Sequence, residues 1–267
     1  MVFSMNFNPK KIRQTILQMA FKGSSVHIAC AFSLVEIVSV LYEKILNYNA
    51  KNPEDPNRDI LALSKGHGVM AIYACLKEMG ILKQEHFDNY FSDGSLLHGL
   101  SEPIVPGIEV FGGSLGHGFP VAVGMAYGFK LKKSSRKVFC IVGDGEINEG
   151  PIWEALLFAA HHKLSNLTII VDANELQAMG ECRHILNLEP MAEKFKSFGF
   201  NTYECDGHNT ALLEEIFKSK SSDKPRAVIA RTVKGKGISF MEGEIKWHYT
   251  RLDNATLEAA MKELTHA

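Results

Sequence analysis

The chain lacks the features that would tie it to a membrane, a secretory route or a nucleic acid. No stretch of its 267 residues approaches the ~18 apolar residues in a row that a membrane-spanning helix needs. Neither sign of charge dominates. With 29 Lys and Arg against 30 Asp and Glu the net charge is −1, which offers no electrostatic case for nucleic acid or an acidic membrane surface. Cysteines are few and unpaired in pattern: Cys30, Cys75, Cys140, Cys182 and Cys205 are odd in number and show no CxxC spacing. Three of them lie in apolar runs, which predicts reduced, mostly buried thiols and a cytoplasmic protein. Residues 1–6 carry no basic region followed by an apolar one, so no secretory signal is expected. There is no internal repeat and no low-complexity segment. What remains is a soluble globular chain, 46% hydrophobic, long enough to bury one substantial core and read as a single domain over residues 1–267.

Periodicity then orders the chain. Asn8-Pro9 starts a helix over 9–22 with Ile12, Ile16, Leu17 and Ala20 on one face, and 33–46 repeats the pattern through Leu34, Ile37, Val38, Leu41 and Ile45. Residues 47–58 are a polar loop, 67–79 a helix ending at Gly80, 94–113 an irregular glycine-rich stretch and 116–132 a helix. A regular alternation follows: strand 137–142, helix 151–163, strand 167–172, helix 190–198, strand 201–205, helix 210–219 and strand 226–232. Trp153, Leu156, Leu157 and Ala160 fall at helical spacing and are expected in the core. Alternation of this kind predicts an α/β fold, a parallel sheet with helices on both faces. A terminal helical tail is expected at about 254–264.

Two strand ends carry the chemistry. The apolar run Val138-Phe139-Cys140-Ile141-Val142 ends in Gly143-Asp144-Gly145, and Leu167-Thr168-Ile169-Ile170-Val171 ends in Asp172-Ala173-Asn174. This puts a carboxylate and a carboxamide at the C-terminal ends of two strands, where open α/β sheets bind ligands. Both are oxygen donors suited to a hard divalent cation such as Mg²⁺ carrying a diphosphate. The glycines beside Asp144 let backbone come close to a ligand. A strand-ending turn can have the same composition for structural reasons alone.

Gly143-Asp144-Gly145, 28 intervening residues and Asn174 together resemble the diphosphate motif of thiamine-diphosphate-dependent enzymes. The surrounding residues narrow the resemblance to transketolases. Glu146-Ile147-Asn148-Glu149-Gly150, Ser64-Lys65-Gly66-His67-Gly68, Gly113-Ser114-Leu115-Gly116-His117-Gly118 and Lys234-Gly235-Lys236-Gly237-Ile238-Ser239-Phe240-Met241-Glu242 all have counterparts there, in the same order. The match covers the diphosphate-binding third of a full transketolase, and implies the thiamine-diphosphate-binding fold.

The resemblance implies roles. Asp144 and Asn174 would bind Mg²⁺ together with the carbonyl of Leu176, and Gly143, Gly145, Glu149, His67 and His248 would stand along the cofactor. Gly113 and Leu115 would meet its aminopyrimidine ring. His27, His67, His98 and His248 would line the substrate channel as proton donors and acceptors, with His67 and His27 ranked first and His98 last. The catalytic Glu that activates the pyrimidine belongs to a separate domain. A C-terminal subunit carrying that domain is therefore the expected partner, in an α₂β₂ assembly, with sugars or sugar phosphates as substrates. Where ordinary transketolases have Gly-Lys-Ala-Pro after Trp-His, this chain has Tyr249-Thr250-Arg251-Leu252, which suggests an unusual sugar. The alternatives are a 2-oxo acid dehydrogenase alpha-like subunit or a non-catalytic subunit that kept the fold.

Overall fold

The computed structural model describes residues 6–220 and 223–266. Residues 1–5, on which the expected lack of a secretory signal rests, lie outside them. Five parallel strands form one sheet in the order β1-β2-β3-β5-β4: β1 Ile60–Leu63, β2 Val138–Gly143, β3 Leu167–Ala173, β4 Asn201–Asp206 and β5 Arg226–Arg231. Register pairs Val138 with Leu167 and runs to Gly143 opposite Asp172, so β2 and β3 finish side by side.

Alternate strand residues face two separate apolar layers. Leu61, Phe139, Ile141, Ile170 and Val228 point into the layer formed with helices α1 (Pro9–Lys22), α2 (Ile28–Phe32), α3 (Val35–Val40) and α4 (Val69–Glu78). The short α5 (Gln84–Asp88) borders this layer through Phe87. Ile60, Ala62, Cys140, Val142, Ile169, Val171 and Ile229 face the other layer, built with α6 (Gly118–Leu131), α7 (Gly150–His161) and, beyond the short α8 (Cys182–Ile185), α9 (Met191–Ser197). Helices α10 (Thr210–Lys218) and α11 (Asn254–His266) return to the first layer. Strands β1, β2, β3 and β5 are buried on both faces, as parallel strands between two helix layers are, whereas the edge strand β4 is mostly half-buried.

Local signals explain several boundaries. Asn8 Oδ1 accepts from the amides of Lys10 and Lys11 at 3.0 and 3.4 Å, and Pro9 fills the first helical position, so α1 starts where the sequence says. The expected helix over 33–46 is different. Helical structure begins at Ile28, breaks between Phe32 and Val35, and ends in a π-helical turn over Leu41–Ile45. At the break Ser33 Oγ donates to the Cys30 carbonyl at 3.1 Å and to Asp172 Oδ2 at 2.7 Å, which ties the chain to β3. Strand β1 has no counterpart among the expected strands; its four buried residues are too short a run for periodicity to show. Leu157, expected in the core, is exposed, whereas Leu156 is fully buried.

Two glycines hold the loop after β1 against the irregular segment before α6. Gly66 donates its amide to the Gly112 carbonyl at 3.0 Å, and a Cβ on Gly66 would lie 2.6 Å from that carbonyl. Gly66→Ala should therefore destabilise the chain by about 1–3 kcal/mol through overpacking. Gly124, inside α6 with open space where its Cβ would stand, should respond to Gly124→Ala with a gain of up to about 1 kcal/mol. Urea denaturation of the two variants checks the opposite signs.

Candidate functional site

A cavity of about 630 Å³ opens across the C-terminal ends of β2 and β3. Eleven of the twelve residues singled out in the sequence line it: His27, His67, His248, Gly113, Leu115, Gly143, Asp144, Gly145, Glu149, Asn174 and Leu176. They come from six separate stretches of chain. The twelfth, His98, stands apart, half-exposed, with Nδ1 2.9 Å from Glu102 Oε2.

Asp144 is buried beyond the end of β2. Its Oδ1 accepts from the Gly145 amide at 2.7 Å, and its Oδ2 from the Glu175 amide at 2.6 Å. Glu175 adopts a left-handed backbone (φ 63°), which turns β3's exit back towards β2. The Gly145 amide, expected to face the diphosphate, is thus bonded to Asp144. Asn174 Nδ2 donates to Asp172 Oδ2 at 3.0 Å. A carboxylate can only accept, so the orientation of the carboxamide is fixed and Oδ1 takes the opposite side, where it accepts from the Leu176 amide at 3.2 Å. Asp144, Asn174 and the Leu176 carbonyl thus give an all-oxygen donor set on one cavity wall. Burial first, and then the charge of Asp172, push the Asp144 carboxyl up to about 6.

Two lysines cross the floor. Lys65 is buried and ion-paired with Asp172, which also accepts from Ser33 and Thr232. Burial opposes the charge on Asp172, but Lys65 outweighs it and holds the carboxyl below its ordinary value. Lys234 Nζ donates to the Leu176 carbonyl at 3.0 Å and meets His248 Nδ1 at 2.9 Å. An ammonium has no lone pair, so His248 accepts at Nδ1 and carries its proton on Nε2.

Three imidazoles gather in the same cavity, joined to the oxygen set through Lys234. Ring centroids lie 5.5 Å apart for His27 and His67, 5.1 Å for His27 and His248, and 5.6 Å for His67 and His248. His27 has a left-handed backbone (φ 67°) and its amide donates to the His248 carbonyl at 3.0 Å. A non-glycine residue held in that region marks a site where surrounding structure fixes the backbone. Tyr249 packs edge-on against His27 and lies 4.6 Å from His248, with its ring largely exposed at the cavity mouth.

Residues 8–266 match the family described as "Transketolase, thiamine diphosphate binding domain". The chain belongs to the transketolase family. It is 40% identical over 260 residues to an apulose-4-phosphate transketolase subunit of Actinobacillus succinogenes, covering 96% of this chain and 94% of that one. It is 36% identical over 256 residues to a 6-deoxy-6-sulfo-D-fructose transketolase subunit of a Clostridium species, covering 95% and 93%. Among solved structures, transketolase from Leishmania mexicana superposes with a TM-score of 0.86 at 25% identity, over 98% of this chain and 42% of that one. Campylobacter jejuni transketolase gives 0.84 at 29%, over 98% and 43%. The chain thus spans less than half the length of these solved transketolases, but nearly all of the two subunits. Membership in a transferase family removes the 2-oxo acid dehydrogenase alternative.

Several residues of this transketolase domain escaped the sequence reading. Lys65 and Lys234 sit inside quoted motifs, yet surface exposure is the default for lysine and their burial is visible only in three dimensions. Asp172 precedes Asn174 by two residues and could have been noticed for that spacing. Glu146, also buried, accepts from Ser64 Oγ, the Gly116 amide at 2.9 Å and the Gly143 amide at 3.1 Å, so it ties the glycine-rich segment to the end of β2.

The imidazole cluster sets a pH dependence. Burial, then Lys234 and Lys65, bring His27 down from 6.5 to about 4; burial, Lys234 and His27 bring His248 to about 3; burial and Lys65 hold His67 well below its ordinary value. Below pH 6.5 the unfolded chain takes up protons that these folded imidazoles refuse, so their stability is complete above 6.5 and drains away as pH falls towards 4. Asp144 works the other way between about 6 and 3.8, and Glu146, raised by burial, acts in the same sense, but these are two groups against three. The melting temperature of the isolated chain should fall between pH 6.5 and 4.5. A His27→Asn, His67→Asn, His248→Asn variant should show a flatter profile; an unchanged slope would place the effect elsewhere.

Proposed function

We propose that this chain is the diphosphate-binding subunit of a two-subunit transketolase that moves a two-carbon ketol unit from a ketose to an aldose with thiamine diphosphate and Mg²⁺. The observation that carries the reading is the convergence of eleven separately placed residues on one cavity over β2 and β3. The donor set fits the cofactor. Asp144, Asn174 and the Leu176 carbonyl offer oxygens to a hard cation, Lys65 and Lys234 line the same cavity while bonded to protein groups, and Asn148 Oδ1 is buried at the cavity without a partner among the described residues.

Bound thiamine diphosphate would supply the electron sink that lets a carbon–carbon bond beside a ketose carbonyl break. The chain's own residues hold, orient and move protons. Asp144, Asn174 and Leu176 would hold Mg²⁺. The Gly113 carbonyl and the Leu115 side chain would stand against the aminopyrimidine. His27 and His67, neutral at pH 7, can accept a proton from a sugar hydroxyl, and His248 can donate a hydrogen bond from Nε2 to a substrate oxygen. One relative's name carries a phosphate and the other's a sulfo group on a sugar. Here Lys65 and Lys234 are committed to Asp172, Leu176 and His248, so a grip on the distal anionic group of such a sugar falls to the partner.

The partner subunit is supported by surface chemistry. Val121 and Leu131 on α6 and Leu157 and Phe158 on α7 are exposed on two helices that pack against each other, and Met179 and Leu100 leave apolar surface at the cavity rim. Glu149 and Gly113 are exposed at the same rim. The buried free cysteines agree with a reducing, cytoplasmic setting, and the single sheet with its two layers with a one-domain subunit.

The purified chain supplied with Mg²⁺ and thiamine diphosphate should show no ketol transfer, and should gain it on mixing with a subunit that carries a pyrimidine domain. Turnover by the chain alone would refute the two-subunit reading. In the assembled enzyme Asp144→Ala should abolish Mg²⁺-dependent cofactor retention while the melting temperature stays near wild type. In the wild type, metal affinity should weaken as pH falls below about 6, where the Asp144 carboxylate takes up a proton. Calorimetric titration with Mg²⁺ measures both.

A further inference from the structure

Lys234 reaches the cavity from residues 233–236, a turn beyond β5 that belongs to no strand or helix. Two of its backbone groups are held by side chains instead. The Val233 amide donates to His208 Nε2 at 2.8 Å, and the Lys236 carbonyl accepts from Arg13 Nε at 2.6 Å. Both side chains converge on Glu36. Arg13 Nη1 and Nη2 donate to its two oxygens at 2.7 and 2.9 Å, and His208 Nδ1 lies 2.8 Å from Oε2. Because His208 accepts at Nε2, its proton sits on Nδ1 and is given to Glu36. Between the two anchors the Gly235 amide donates to the Ala29 carbonyl at 3.0 Å, with φ at 80° and no room for a Cβ beside Met241.

Glu36 and Arg13 are buried, and none of the three clamp side chains lines the cavity. Burial alone would raise the Glu36 carboxyl; hydrogen bonds from His208 and Arg13 outweigh it and leave it at about 2. The Glu36 carboxylate therefore keeps its charge at neutral pH.

We infer that Glu36 and His208 are positioning residues for Lys234: by fixing residues 233–236 at both ends they aim its ammonium at the Leu176 carbonyl and at His248 Nδ1. The inference rests on reading the cavity as a diphosphate site. Its consequence reaches two functions at once. Lys234 steadies the carbonyl that completes the oxygen set, and it selects the tautomer that leaves the His248 proton on Nε2. Loosening the turn would disturb cofactor affinity and hydrogen-bond donation together, without any change in the residues that touch either ligand.

Two substitutions separate positioning from bulk structure. His208→Asn puts a carboxamide near the Nδ1 position, where it can still donate to Glu36, but takes the acceptor away from Val233. His208→Gln reaches the Nε2 position and can offer its Oε1 to Val233. In the enzyme assembled with its partner, titration with thiamine diphosphate at saturating Mg²⁺ should show affinity lowered on the order of tenfold in His208→Asn, the usual scale for a supporting hydrogen bond behind a ligand. His208→Gln should stay close to wild type, and both variants should melt near wild type. Lys234→Ala should lose at least as much, and His208→Asn combined with Lys234→Ala should bind no worse than Lys234→Ala alone, because the clamp has nothing left to aim. Additive losses in the double variant, or equal losses in His208→Asn and His208→Gln, would overturn the inference. A wild-type enzyme that fails to bind thiamine diphosphate at all would instead overturn the site reading, and the inference with it.

Discussion

A carboxylate taken fully out of water keeps its charge only if the protein supplies what water supplied. Asp172 has no exposed surface, and its surroundings supply four donors: Lys65 Nζ, Thr232 Oγ1, Ser33 Oγ at 2.7 Å and Asn174 Nδ2 at 3.0 Å. Each donor comes from a different place: the loop after β1, the exit of β5, the break between α2 and α3, and the end of β3 itself. One buried charge thus fixes the relative positions of three loops and the orientation of a carboxamide. Its loss would strand Lys65 as a buried cation, a situation that costs about 3–5 kcal/mol where one partner of such a pair is removed. Asp172 does not line the cavity, yet the donors that do line it depend on its position.

The same logic extends outward. Lys65 and Lys234 are held by protein groups, and their charges help to keep His27, His67 and His248 unprotonated. Two ammoniums buried beside three neutral imidazoles form an electropositive floor under a proton-transfer wall. In the proposed enzyme a diphosphate would settle on the floor, and the sugar would meet the wall. A second carboxylate, Glu36, does for the lysine-bearing turn what Asp172 does for the strand ends, and neither contacts the cavity.

Much of this was legible in the chain. The alternation from 137 to 232 gave four of the five strands and, the short α8 excepted, the helices between them to within about two residues, because apolar runs such as those of β2 and β3 are what buried parallel strands require. The strand-end pair Asp144 and Asn174 and the histidines His27, His67 and His248 could be named from motif order. Strand β1 could not, since four apolar residues carry no period. The break at Ser33 was hidden for another reason: serine tolerates a helix, and only its distant bond to Asp172 shows why the helix stops. His98, which resembles the transketolase pattern only loosely, pairs with Glu102 outside the cavity. Partnership in space, not residue type, separates it from the other three.

Leu157 marks a limit of a different kind. Helical periodicity reports which residues are covered by something, and cannot say whether the cover belongs to the same chain. Trp153 and Leu156 pack on the sheet side of α7, while Leu157 and Phe158 are exposed, as are Val121 and Leu131 of α6. Both helices are apolar almost all round, a composition expected of helices buried between two layers. In this chain only one of those layers is present. Leu157 is thus not a core residue of this chain, and in the proposed enzyme the partner subunit would be the body to cover it. Gly113 and Glu149 at the cavity rim are exposed as well, and the proposed chemistry needs a pyrimidine domain that would cover them. Exposed apolar residues on α6 and α7 and an open rim are separate observations, one from burial and one from the cavity, and both fit a covering subunit.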